Sequence, residues 1–302
     1  MKKNIPLLAL ILPSKGRFLD LMLTLIFTSL KNTYFFKVQF FVVANYSNFQ
    51  IFILKFMFSH RAIFIDERDL DCQGANTAYN YGFELAKNNG ARWVALWADD
   101  LLPLKLNWLD ELYNYLTKAD FQFGIFSTDE GYHKGRYGWN IEAGYPCAHF
   151  YVACTDSLPG HLLNPALKNF LADNEIAISR IKQSISISLL PIKLIHQPTF
   201  NLTRLSRIHM LKDDLERLYE IHPELNCKLD NIILNGDVND INFKFILDEG
   251  KLTKYELSTK VIDYSEFISK SKYFIPPIKI RLVYFLRRVW NRFMLIIDRL
   301  CK

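Results

Sequence analysis

Up to residue 200 the chain alternates short apolar runs with longer stretches whose apolar residues recur every three or four positions. The runs Leu7–Leu12, Val38–Val43, Ala62–Ile65 and Trp93–Trp97 have strand length and predict strands. Between them, Phe18–Leu30, Phe49–Phe58 and Asn76–Asn88 carry helical spacing, the last stopped by Gly90. Strand and helix in this rhythm predict a mostly parallel sheet covered on both faces. Trp108–Leu116 then predicts a helix, Phe123–Ser127 and Phe150–Ala153 strands, Glu175–Gln183 a helix, and Ile185–Ile195 one or two strands broken at Pro191. Gly131–Gly144 is rich in Gly and Tyr and predicts a loop. Beyond Phe200 the texture becomes charged and mostly helical, and Pro276-Pro277 sets off a final basic segment.

In open sheets of this kind, ligands lie outside the carboxyl ends of the strands. Asp99 and Asp100 fall just past the end of the run Trp93–Trp97, where a site belongs and a core does not. Two carboxylates there offer a divalent cation hard oxygen ligands while leaving positions for phosphate oxygens. The competing reading is a pair of acids capping the next turn or helix.

The segment upstream, Gly74-Ala75-Asn76-Thr77-Ala78-Tyr79-Asn80-Tyr81-Gly82-Phe83-Glu84-Leu85-Ala86, has the spacing G-x-x-x-A-x-N-x-G-x-x-x-A and leads into the strand ending at the acids. With that continuation, and with Leu101-Leu102-Pro103 and Trp108-Leu109-Asp110-Glu111-Leu112 beyond it, the chain resembles the family 2 glycosyltransferases of GT-A type. The opening Leu10-Ile11-Leu12-Pro13-Ser14-Lys15-Gly16-Arg17, the segment Ala172-Asp173-Asn174-Glu175-Ile176 and the strand end Leu194-Ile195-His196-Gln197-Pro198 extend the resemblance from Ile5 to Phe200.

The resemblance implies a Rossmann-like GT-A domain over residues 1–200, with a mostly parallel central sheet flanked by helices. A mostly helical extension over 201–275 and the basic segment 276–302 follow. It implies sugar transfer from a nucleotide-diphosphate donor to a hydroxyl of a glycan or lipid-linked acceptor, in bacterial capsule or lipopolysaccharide synthesis, with Mn2+ or Mg2+. Asp99 is then the leading metal ligand, Asp100 the second, and His196 a contact to metal or phosphate. Pro13, Ser14, Arg17, Asn45 and Ala98 line the donor site, with Arg17 on the diphosphate. Asn80 is also placed at that site, its amide suited to tying down the active-site loops. Asp173 is the base that makes the enzyme inverting, and Glu175 is the alternative base; were the helix already begun, Asp173 would instead be its N-cap. Trp139, Tyr137 and Tyr145 are candidates for stacking on a sugar. Three positions depart from the family pattern: the D-x-D triplet is Trp97-Ala98-Asp99, the usual V-D-D is Val43-Ala44-Asn45, and the acid before Asp173 is replaced by Ala172. The lost first acid of D-x-D and Ala44 sustain a rival reading as a non-catalytic binding subunit. A sugar nucleotidyltransferase would need a G-x-G-x-R loop that Pro13-Ser14-Lys15-Gly16-Arg17 does not supply.

Charge narrows the partners. The formal net charge of +6 equals that of Lys279–Lys302 alone, where seven Lys/Arg face the single Asp298. The rest is balanced, which excludes a nucleic-acid-coating protein. At helical pitch Arg281, Arg288, Arg292 and Arg299 fall on one line beside an apolar face, so this segment is expected to rest on an anionic membrane; docking on the domain or another subunit is the alternative. The five cysteines have no C-x-x-C spacing, consistent with a reduced, cytoplasmic protein at the inner face of the membrane. The start MKKNIPLLALILPSKGR lacks a cleavage site and reads as a strand, and no segment has the length of a membrane span.

Overall fold

The computed structural model describes residues 6–29, 37–70, 74–127, 150–196, 209–225, 240–248 and 251–260. Strand β1 (Leu7–Lys15) is almost wholly buried and leads into helix α1 (Phe18–Ser29); β2 (Lys37–Asn45), α2 (Asn48–Phe58) and β3 (Ala62–Asp66) follow. Helix α3 (Ala75–Asn88) crosses to β4 (Ala91–Leu96). Then come β5 (Leu101–Pro103), α4 (Trp108–Leu116), β6 (Phe123–Ser127), β7 (Tyr151–Cys154), α5 (Ala172–Lys182) and β8 (Ile187–His196). Helix α6 (His209–Ile221) and the hairpin β9 (Asp240–Asp248) and β10 (Lys251–Lys260) complete the described chain.

The sheet order is β3-β2-β1-β4-β7-β6-β8-β10-β9, with β5 paired to β8 beside this path. Strands β1 to β4, β6 and β8 point one way, and β7 is the antiparallel insert between β4 and β6. The expected α/β sheet flanked by helices is present, mixed and mostly parallel in direction.

Two features differ from the sequence reading. Residues 201–275 are not helical throughout, because β9 and β10 form an antiparallel ladder that joins the edge of β8. Their alternating pattern, Asp-Ile-Asn-Phe-Lys-Phe-Ile-Leu-Asp, has strand period two, and the charges between the apolar residues mask it as helix texture. Pro191 does not break its strand; β8 continues through a register irregularity, pairing with β6 on both sides of it and with β5 after it. Proline lacks the N–H a regular ladder needs, so a bulge is the local solution. The Gly131–Gly144 region, with Tyr137, Trp139 and Tyr145, and the basic segment from residue 276 lie outside the described residues.

The helix α3 motif has a packing explanation. A Cβ on Gly82 would stand 2.7 Å from Ile11 Cγ2, so α3 approaches β1 more closely than any larger residue permits. Gly74 starts the helix at φ +104°, and a Cβ there would meet the Lys168 carbonyl at 2.7 Å. Both glycines let α3 sit tightly between the sheet and the segment leading to α5.

Candidate functional site

The carboxyl ends of β1, β2 and β4 meet at one edge. In register, Pro13 lies opposite Val43, Ser14 opposite Ala44 and Lys15 opposite Asn45. On the other side Ile11 pairs with Leu96, and the Trp97 N–H continues the ladder to the Ile11 carbonyl at 2.9 Å. This brings Ala98, Asp99 and Asp100 beside Pro13 and Ser14. The two acids precede a strand, β5, rather than a helix, so the helix-capping alternative does not apply to them.

The turn holding the acids is fixed from both faces of the sheet. Thr24 of α1 donates to the Asp99 carbonyl at 2.7 Å, and Tyr79 of α3 donates to the Trp97 carbonyl at 2.6 Å. Strand β5 then places Leu101 opposite His196, so the end of β8 arrives next to Asp100. The backbone of His196 thus lies beside the turn of the acid pair; its side chain lies outside what the structure describes.

Asp99 and Asp100 are both buried. Arg17 Nη1 donates to Asp99 Oδ1 at 3.1 Å and to Asp100 Oδ2 at 2.5 Å. A relay approaches from the other side: the Arg17 N–H donates to the Tyr46 hydroxyl at 3.2 Å, Tyr46 lies 2.5 Å from Ser14 Oγ, and Ser14 donates to Asp99 Oδ2 at 2.7 Å. Burial, then the Asp100 charge, raise the Asp99 carboxyl above its ordinary range despite Arg17 and Ser14. Burial works against the Arg17 charge, but Asp100 and Asp99 outweigh it and raise its pKa. Asp20, also buried, acts on both Asp99 and Arg17. A divalent cation fits this donor set, since both acids supply hard oxygens at the strand ends. Among the described residues no group of three or more His, Cys, Asp and Glu converges on one point, so a cation there would complete its shell from a bound ligand or solvent.

Asp173 is the second residue of α5. Leu171, at φ 62°, occupies the N-cap position, so Asp173 is not the cap the sequence offered as an alternative. Burial first, and then the charges of Asp99, Asp100 and Asp173, raise the pKa of the Tyr79 hydroxyl. Glu175 stands differently. Two residues along a helix project about 200° apart, and Glu175 is buried, accepting from Ser179 Oγ at 2.5 Å with His222 Nε2 at 3.4 Å. Burial pushes its pKa up, yet the neighbouring His222, Ser179 and Asn164 bring it below its ordinary value. Glu175, offered by the sequence as the alternative base, is instead occupied among the described residues by Ser179 of its own helix and by His222, just past α6.

Asn80 is similarly occupied. Its Oδ1 accepts from the N–H groups of Leu162 and Leu163, each at 2.9 Å, and its Nδ2 donates to the Leu163 carbonyl at 2.7 Å. It braces the loop before α5, as an amide suited to tying down loops does. Asn76 assists through the Leu167 carbonyl at 2.7 Å. Asp214 of α6, which the sequence reading missed, accepts from the N–H groups of Lys168, Asn169 and Phe170 at 2.8–2.9 Å. Tyr46, Thr24, Tyr79 and Asp20 were also missed. Of these, only Tyr46, beside Asn45 at a strand end, carried a local signal.

No protein-family model matches the sequence, and no curated protein matches it. Solved structures match the fold. Mannosyl-3-phosphoglycerate synthase from Rubrobacter xylanophilus is similar with a TM-score of 0.51 and 16% identity, over 85% of this chain and 87% of that one. Glucosyl-3-phosphoglycerate synthase from Mycobacterium tuberculosis, in complex with Mn2+, UDP and glucosyl-3-phosphoglycerate, matches with 0.51 and 13% identity over 85% and 88%. The same enzyme with Mg2+ and UDP gives 0.51 and 13% over 85% and 89%. The fold is that of the GT-A glycosyltransferases, and at these identities the likeness extends to fold alone.

Proposed function

We propose that this protein is a GT-A glycosyltransferase that moves a sugar from a nucleotide-diphosphate donor to a hydroxyl acceptor, with inversion and with Mn2+ or Mg2+. The observation that carries this reading is the buried Asp99–Asp100 pair at the carboxyl ends of β1, β2 and β4.

Asp99 and Asp100, with His196 beside them on β8, would hold the cation. When bound, it supplies positive charge to the departing diphosphate. Arg17 orients both carboxylates and is available to follow the phosphates when they enter. Pro13, Ser14, Asn45 and Ala98 border the nucleotide, with the Asn45 amide able to donate to or accept from a base edge. Asp173 takes the proton from the acceptor hydroxyl as the new bond forms. Asn80, Asn76 and Asp214 hold the preceding loop so that Asp173 keeps its position. The acceptor is a glycan or lipid-linked sugar of a bacterial surface polysaccharide, handled by a cytoplasmic protein at the membrane face.

One observation favours a second reading. Arg17 lies on the acid pair, so the acids alternatively anchor the turn after β1 in a protein that binds without catalysis. Titration calorimetry with UDP, GDP, CDP and dTDP, with and without Mn2+, separates the two. Cation-dependent binding of one nucleotide, lost in Asp99→Asn, supports catalysis; binding of none overturns it. Transfer assays with the matching nucleotide sugar should include lipid-linked and phosphorylated small acceptors. The anomeric configuration of the product tests the inverting assignment.

A further inference from the structure

Helix α2 is apolar on both sides. Ile51, Leu54 and Phe58 are buried against the sheet, as an amphipathic helix requires. At 100° per residue the opposite face centres on Phe49, Phe52 and Phe56, where a surface helix would carry charge. These phenylalanines are 71%, 65% and 80% exposed, Phe52 and Phe56 stack at 6.4 Å, and Met57 extends the patch at 40%. Isolated exposed hydrophobes are ordinary, but three aligned phenylalanines on one outer face mark a docking surface.

Charge selects the occupant. No Asp or Glu stands between Asp20 and Asp66, whereas Lys31, Lys37, Lys55 and Arg61 do. The only charged residue within α2 is Lys55, which is exposed, and exposed His60 follows the helix. The acids nearest in sequence are engaged: Asp66 pairs with Arg68, which also donates to Asn48 at 2.7 Å, and Glu67 lies 3.9 Å from Lys15. Like charge works against a second copy of this face, and equally against the chain's own basic run Lys279–Lys302. At 11 residues the helix is about 16 Å long, too short to span a bilayer, and among the described residues no helix is long and apolar enough to cross a membrane.

We infer that α2 is a membrane-docking helix, lying in the interface of an anionic bilayer with Phe49, Phe52 and Phe56 among the acyl chains and Lys55 at the headgroups. Because α2 begins directly after Tyr46, at the strand ends that carry the acid pair, docking sets the candidate site close to the lipid surface. The inference rests on the exposed face and its charge, independently of the reaction proposed above.

Co-sedimentation of the full chain with vesicles of phosphatidylcholine alone, or with phosphatidylglycerol added, tests it. Binding is expected only to the anionic vesicles, falling with salt, and roughly tenfold or more weaker in the triple variant Phe49→Ser, Phe52→Ser, Phe56→Ser. A single Phe52→Trp variant adds a local readout: its emission, taken as the difference from wild type, should shift blue and be quenched by brominated lipid, which loss of folding would not produce. Unchanged vesicle binding by a triple variant with wild-type melting temperature would overturn the inference and leave binding to another segment. An unquenched difference signal from the Phe52→Trp variant, or a triple variant that changes only the oligomeric state, would overturn it in favour of a protein interface. Nucleotide binding is measured on the same samples, so its absence bears on the reaction and not on docking.

Discussion

Asp99 sits in a balance that predicts its own variant. Because burial and Asp100 already disfavour its charge, Asp99→Asn removes repulsion along with the Arg17 contact, and the unliganded protein should melt within a few degrees of wild type. The same variant should lose cation-dependent nucleotide binding, read by calorimetry and thermal shift together. Glu175 behaves in the opposite sense. Its folded pKa lies below the ordinary value of 4.5, so it contributes stability that is present above that pH and is lost as the pH falls through the folded value. Urea midpoints followed downward from pH 6 should fall on the acid side, and Glu175→Gln should flatten that slope while lowering stability near neutrality. A catalytic Glu175 would instead change the pH–rate profile.

Helix α3 links packing to the site. Gly82→Ala would push the helix from Ile11 and should cost about 1–3 kcal/mol by urea unfolding, since neither β1 nor α3 can give way without losing other contacts. Asn80→Ala acts elsewhere on the same helix. It leaves the Leu162 and Leu163 N–H groups without their acceptor, at about 1–3 kcal/mol, and frees the loop that positions Asp173. Nucleotide affinity should be retained while the transfer rate falls, and Asp214→Asn should do the same from the side of α6. Equal losses of both quantities would show that the loop also shapes the donor pocket.

Across the whole molecule, the strand ends, α1 and α3 converge on the acid pair. A cation and nucleotide bound there should therefore stabilise the entire domain, by roughly 2.7 kcal/mol at a hundredfold excess over Kd. The rise in melting temperature should require both ligands and disappear on chelation. A rise with cation alone would point to a resident metal.

Much of the architecture was legible because its signals are local. Apolar runs marked β1 to β4, helical spacing marked α1 to α4, and a carboxylate pair after a buried strand marked the candidate site. The strands β9 and β10 were hidden because charges interrupt their alternation, and β5 because three apolar residues have no period. The sequence by itself determined the segments of β1 to β4 and α1 to α4 and the carboxylate pair that follows β4. Only the tertiary structure decided that Arg17 lies on both acids, that Asn80 and Asp214 brace one loop, that Glu175 is met by His222, and that the phenylalanines of α2 face outward. Each of these depends on partners distant in sequence, and burial and charge pairing are set by what the fold brings within a few ångströms.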